Sequence, residues 1–149
     1  GVDGMKIAWK KLTSSAKMPE RGSAWAAGYD LFADIAEETR LAPHETKMIG
    51  TGVALAVPEG YFGGVFARSG LSAKEGLRPA NCTGVVDADY RGEVKVALHN
   101  DSGEERVVAP GQKIAQLVIM PFLSVEFEEV ADLDETERGQ GGFGSTGKM

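Results

Sequence analysis

In GVVDADYRGEV, residues 84–94, the β-branched pair Val85 and Val86 starts a short buried strand that runs out at Asp87, and apolar alternation resumes only at Val94. Val94, Val96 and Leu98 then alternate with Lys95, Ala97 and His99, which predicts a half-buried strand. Between the two the chain turns in the open, and the turn carries two carboxylates (Asp87, Asp89), a phenol (Tyr90), a guanidinium (Arg91) and a glycine. A rigid scaffold that presents such a set on a loop is how binding and catalytic groups are usually displayed. A plain surface hairpin, with Asp and Gly present only to suit the turn, accounts for the same residues.

Outward from the hairpin the chain is a series of short strands. Residues 5–12 alternate loosely, with Ile7 and Trp9 on one side, and polar residues 13–22 show no period. AAGYDLFAD, residues 26–34, sets Tyr29, Leu31 and Ala33 on one face and Asp30, Phe32 and Asp34 on the other. Asp30 thus falls inside a strand, where a charge normally faces solvent. Val53, Leu55 and Val57 alternate with Ala, which suits a tightly layered pair of sheets; Pro58, Glu59 and Gly60 supply a turn, and residues 61–67 form the next strand. That strand ends in ARSGLS, where Ser69 is expected to cap a short helix through about Lys74. Backbone donors, a hydroxyl and the Arg68 guanidinium at a helix start suit an anion, and an ordinary capped turn with a surface Arg is the other reading. RVVAPGQKIAQLVIM carries a strand, a break at Pro110 and Gly111, and a second strand interrupted by Gln116. A polar amide among Ile114, Leu117, Val118 and Ile119 must find partners if buried, as a core amide or as a ligand contact.

Composition narrows the classes. The 149 residues fit one domain, and 20 glycines with few long amphipathic runs favour strands and turns over helices. The single cysteine, Cys82, excludes an internal disulfide framework and any cysteine-based zinc cluster, and it suits a reducing compartment. With no apolar run of spanning length and no secretory signal, a soluble intracellular protein is expected, in cytoplasm, nucleus or an organelle, with no membrane partner. GVDG, before Met5, reads as the remnant of an expression tag at residues 1–4. Residues 125–137 hold seven of the 22 acidic residues and no Lys or Arg, leaving 15 acids against 16 bases elsewhere. The formal charge of −6 is therefore local, and an Arg cluster on the neutral body can hold phosphates. No basic stripe with interleaved aromatics is present, so nucleic acid is not an expected partner. His44 and His99 lie far apart in sequence, and neither reads as a metal ligand.

The acidic segment is expected to start as a strand and continue as a solvated connector. RGQGGFGSTGK, residues 138–148, has too many glycines to be ordered by a core of its own. Arg138 with the hydroxyls of Ser145 and Thr146 suits phosphates, and Phe143 offers an aromatic face, so the tail is either a nucleotide lid or a frayed Gly-rich end. Residues 142–148 spell most of a phosphate loop, but Met149 follows Lys148 where Ser or Thr is needed and no helix follows. The His/Cys signature of a zinc deaminase is missing.

AGYDLFA, ARSGLS, GVVDADYRGEV, GQKIAQLVI and RGQGGFGSTG, in this order, closely resemble the five motifs of the homotrimeric dUTPase family, over residues 27–147. The resemblance implies an all-β, distorted jelly-roll subunit with one short helix, a body over residues 5–137, and a C-terminal arm, residues 138–149, exchanged within a homotrimer. It implies hydrolysis of dUTP to dUMP and pyrophosphate with Mg²⁺, limiting uracil in DNA and supplying dUMP. Asp87 would be the general base that activates water. Tyr90 would lie against the deoxyribose, and Asn81, with backbone groups of the same hairpin from Gly84 on, would read uracil. Asp30 would hold Mg²⁺ through its waters. Arg68, Ser69, Gly70 and Gln116 would contact phosphates, and in the arm Phe143 and Gly144 would cover the base while Arg138, Ser145 and Thr146 close over the γ-phosphate. Ala67 stands where the family usually has Pro and Ser72 where Ala is common. A dCTP deaminase on the same fold, or a noncatalytic nucleotide sensor, is the alternative; the aromatic Gly-rich tail speaks against the first and Asp87 against the second.

Overall fold

The period-two runs become short strands, because each buries one face and leaves the other wet. The computed structural model describes residues 4–144. In chain order it has β1 (Ala8–Lys11), β2 (Glu20–Arg21), β3 (Tyr29–Phe32), β4 (Thr39–Leu41), β5 (Thr46–Ala56), β6 (Tyr61–Phe66), α1 (Ser69–Glu75), β7 (Leu77–Pro79), β8 (Gly84–Val86), β9 (Glu93–Asn100), β10 (Arg106–Val108) and β11 (Lys113–Pro121). One sheet runs β1-β5-β9-β7, the other β2-β3-β11-β6-β8, and β10 pairs with β4. All pairings are antiparallel. Val94, Val96 and Leu98 of β9 with Ile49, Val53 and Leu55 of β5 meet Leu31, Val65, Ile114 and Leu117 of the facing sheet in one buried cluster. This is the distorted jelly roll with one short helix that the family resemblance implies.

β5 serves two partners. Residues 46–50 and Ala54 pair with β9, residues 53–56 pair with β1, and the β5–β9 register breaks between Gly50 and Ala54. Gly52 makes the break: its φ is +69°, and a Cβ there would run into Asp34 Oδ2 and Ala16. Asp34 in turn accepts hydrogen bonds from Thr13 Oγ1 and Ser15 Oγ, both at 2.6 Å, which ties the polar loop of residues 13–16 to the body.

Three local expectations change. Ser69 is the first residue of α1, not its cap; extended Arg68 holds the cap position, without a side-chain capping bond. In β8 only Val86 is buried, at 7% exposure, whereas Val85 stands at 62%, because a two-sided strand at a sheet edge buries one face only. Residues 122–137 form no strand among the described residues, although Leu123, Val125 and Phe127 alternate with Ser124, Glu126 and Glu128. An alternating segment becomes a strand only when a ladder partner lies beside it. No described helix is long and apolar enough to cross a membrane.

Candidate active site

Three sequence-predicted residues meet where β3, β11 and the end of β6 come side by side. Asp30 on β3 lies opposite Gln116 on β11, which lies opposite Phe66 on β6. Arg68, two residues past Phe66, reaches back so that its Nε sits 3.0 Å from Asp30 Oδ1. Asp30 is therefore no solvated charge: its side chain is 15% exposed, and its other oxygen faces Lys113 Nζ at 3.5 Å. Gln116 Nε2 donates to Ala67 O at 2.8 Å, fixing the segment that delivers Arg68, while Gly28 leaves room for Gln116 Oε1. The amide keeps a second N–H for a ligand. Ser69 and Gly70 are exposed at the start of α1. A groove of about 470 Å³ runs past Arg68, Gly70, Lys74 and Lys113. Two cations on the carboxylate of Asp30, with Lys74 on the same groove, suit a polyanion.

Lys113 is the residue that sequence reasoning missed. The register of β11 against β3 slips between Lys113 and Ala115, so that Lys113 lies opposite Phe32, and Phe32 and Asp30 share a strand parity. The bulge turns a residue of the wrong parity onto Asp30's face. Only the polar lead GQK before the apolar run hints at it.

The hairpin is a separate cluster. Tyr90 N donates to Asp87 O at 3.1 Å to close the turn, Tyr90 Oη donates to Glu93 O at 2.7 Å, and Arg91 Nη1 donates to Ala88 O at 2.6 Å. Gly92 is required under the Tyr90 ring, which a Cβ would strike. The phenol is thus held in place and exposed, and Asp87 is exposed at the tip with no side-chain hydrogen bond or ion pair among the described residues. At the other end of the hairpin Asn81 is exposed, next to Gly84 and to Cys82 at φ +60°.

These clusters do not meet within one chain. β8, β6, β11 and β3 are consecutive neighbours, Val86 is level with Gly63, and Asp30 is level with Phe66 through Gln116. At about 4.8 Å per strand spacing and about 3.3 Å per residue, the Asp87 and Asp30 backbones are on the order of 20 Å apart. The tail adds a third piece: Arg138 Nε donates to Gly141 O, and Phe143 and Gly144 are fully outside at positive φ. Ser145 and Thr146 lie outside the described residues.

Residues 14–147 match the model of the dUTPase family. The chain belongs to the dUTPase family. A deoxyuridine 5'-triphosphate nucleotidohydrolase of Hydrogenobaculum sp. (strain Y04AAS1) is 43% identical over 143 residues, 96% of this chain and 99% of that protein. The mitochondrial nucleotidohydrolase of that name from Homo sapiens is 46% identical over 147 residues, 99% of this chain and 57% of that protein. Among dUTPase structures, that of Staphylococcus bacteriophage 80alpha with dUpNHpp superposes with a TM-score of 0.83 at 34% identity, covering 96% of this chain and 99% of that one. A mutant dUTPase from phage phi11 of S. aureus, described with a structural Mg(II) ion, superposes with a TM-score of 0.79 at 32% identity, covering 88% of this chain and all of that one.

Asp30 is one carboxylate with both oxygens facing cations, so it has no capacity for an all-protein cage. It fits the outer-sphere role that Mg²⁺ tolerates well, with waters between and phosphate oxygens as the direct ligands.

Proposed function

We propose that this chain hydrolyses dUTP to dUMP and pyrophosphate, with Mg²⁺, in a homotrimer whose active sites are each assembled from more than one chain. The observation that carries the proposal is the separation of Asp87 from the Asp30–Arg68–Gln116 cluster. A water activated by Asp87 has to reach a phosphorus held by Arg68, and within one subunit the sheet keeps the two apart. Placing the hairpin of one copy against the phosphate cluster of a neighbour removes the conflict, and a threefold ring closes such head-to-tail contacts.

In that assembly Arg68, the exposed backbone at Ser69 and Gly70, and the free N–H of Gln116 hold the triphosphate, with Asp30 toward the hydrated metal ion. Bound with the nucleotide, Mg²⁺ neutralises phosphate charge. Asp87 takes a proton from water, the water oxygen forms its bond to the α-phosphorus, and the bond to the pyrophosphate oxygen breaks. The Tyr90 ring, fixed by its bond to Glu93 O, packs on the deoxyribose and leaves no space for a 2′-hydroxyl. Asn81 reads the uracil edge, so a wrong base leaves buried polar groups unpaired. Keeping uracil out of DNA while supplying dUMP is the service such a reaction performs.

The same assembly gives the tail an address. Leu123, Phe127 and Leu133 are 84–93% exposed, and a groove of about 640 Å³ is lined by Ile7, Trp9, Tyr29, Leu55 and Ile119. So much apolar surface calls for a partner. We assign residues 122–137 to the surface of a neighbouring copy, carrying the arm from Arg138 onward to a third-party site as a lid in which Phe143 stacks on uracil.

Mixing two defective variants tests the shared site. Asp87→Asn, nearly inactive alone, and Arg68→Ala, impaired where dUTP is well below its raised KM, are co-expressed and pyrophosphate release is measured at such low dUTP. With sites shared between neighbours, roughly a quarter of the sites in a random equal mixture carry both intact groups. Activity no greater than the sum of the two single variants would mean that each site lies within one chain.

A further inference from the structure

We propose that His44, His99 and Asp101 form a site for one transition-metal dication of the zinc, cobalt or nickel class, which clips the β4–β5 turn to the β9–β10 turn. The fold brings together two histidines that are 55 positions apart in the chain: their ring nitrogens and a carboxylate oxygen of Asp101 all lie within 4.8 Å of one another. Tetrahedral ligation at about 2.0–2.1 Å puts donor atoms about 3.4 Å apart, so modest side-chain rotation closes the set. His99 Nε2 and Asp101 Oδ1 are already 3.8 Å apart.

The backbone under these donors is fixed on all sides. His44 sits at φ +65°, a conformation non-glycine residues rarely adopt, with its N–H donating to Asn100 O at 2.7 Å. Asn100 N donates to Glu45 O at 2.9 Å, and Asp101 N donates to Gly76 O at 2.8 Å. Asn100 itself is fully buried: Nδ2 donates to Glu104 O and Leu41 O, and Oδ1 accepts from Ser102 N and Oγ. With a further Nδ2 bond to Ala42 O, the residue between two of the donors is locked by five side-chain hydrogen bonds, and its carbonyl holds the third donor's backbone through His44 N.

Orientation is set in the same way. Thr46 lies directly across from His99, and its Oγ1 is 2.8 Å from His99 Nδ1. A hydroxyl accepting from Nδ1–H leaves the Nε2 lone pair free and turned toward Asp101, the outer-shell arrangement that metal-binding imidazoles use. Arg78 Nε stands 3.7 Å from Asp101 Oδ2, so it engages one oxygen and leaves Oδ1 for the metal. Two imidazoles and one carboxylate select a borderline cation over Mg²⁺, which prefers all-oxygen surroundings. His44 and Asp101 are exposed, so a water completes the coordination. The set belongs to β9 and the turns beside it, on the sheet opposite Asp30.

Cobalt(II) titration of nucleotide-free protein, followed by visible d–d absorption and calorimetry in a Cys82→Ser background that removes the exposed thiol, tests the assignment. One Co²⁺ per chain is expected, displaced by Zn²⁺ and not by a large excess of Mg²⁺. His44→Asn, which keeps a residue tolerant of positive φ, and Asp101→Asn should each weaken binding at least tenfold. Thr46→Val, which removes no ligand, should weaken it about ten- to a hundredfold while leaving the metal-free melting curve near wild type. Zn²⁺ should raise the unfolding midpoint of the parent and not of His44→Asn. Absence of one-to-one binding, or equal binding by His44→Asn and the parent, overturns the proposal.

Discussion

Asp30 and Asp87 are carboxylates carried by the same five-stranded sheet, and they are held in opposite ways. Around Asp30, Arg68 and Lys113 face one oxygen each, Gln116 ties the neighbouring strand end, and the side chain is 15% exposed. Around Asp87 the backbone of the hairpin is tightly bonded while the carboxylate itself has no described partner. A group locked between cations is suited to binding: its surroundings are spent on holding charge in place. A group left bare on a stiff turn is suited to proton transfer once another surface dries its environment. Changes on the sheet side should therefore appear in KM, and changes on the hairpin side in kcat.

The largest effect is expected at Asp87. Asp87→Asn keeps the shape and loses the proton acceptor, so kcat for dUTP should fall by about a hundredfold to ten-thousandfold while nucleotide affinity by calorimetry stays within a few-fold. Near-normal kcat would move the base elsewhere and end the contrast with Asp30. Next comes the tail. Truncation after Glu137 removes Arg138 and Phe143 but none of the strands, so size-exclusion and melting should be unchanged while kcat/KM falls at least tenfold. Loss of the oligomer would instead make the tail a structural strap.

Arg68→Ala sharpens the other side of the comparison. It removes a charge-assisted donor to phosphate, a loss of about 1.5–3 kcal/mol, and KM should rise roughly ten- to a hundredfold with a smaller change in kcat. A pure kcat effect would place Arg68 on the transition state and blur the division of labour.

How much of this the sequence discloses depends on the range of the interaction. The strand from Val94 to Leu98 is legible because parity alone decides which side chains are buried. The family motifs point to Asp30, Arg68, Asp87 and Gln116 one at a time. What parity cannot disclose is a slip in it: the bulge that turns Lys113 toward Asp30 leaves no mark in the residue pattern beyond the polar lead GQK. Ser69 looks like a cap because capping is read from residue type, yet the dihedrals of Arg68 set the helix start. Val85 looks buried for its chemistry and is exposed for its position on the last strand of a sheet. His44 and His99 look unrelated because only the pairing of Thr46 with His99 brings the turn before β5 to the end of β9.

The smallest effect is the most specific test of how the sheet side is built. At Gly28 an added Cβ would land on Gln116 Oε1, with Gln116 Cδ only 2.8 Å away. Gln116 is a flexible side chain, so in Gly28→Ala it swings aside and loses its 2.8 Å bond to Ala67 O, without displacing backbone. One such bond is worth about 0.5–1.5 kcal/mol net, and KM should rise by roughly two- to tenfold with kcat little changed. If Gln116 is the only route by which Gly28 acts, the pair is not additive: Gln116→Ala made on top of Gly28→Ala should cost less than Gln116→Ala alone. Full additivity would mean that Gly28 matters for some other reason, such as the entry of β3, and that the amide does not hold the Arg68 segment in place.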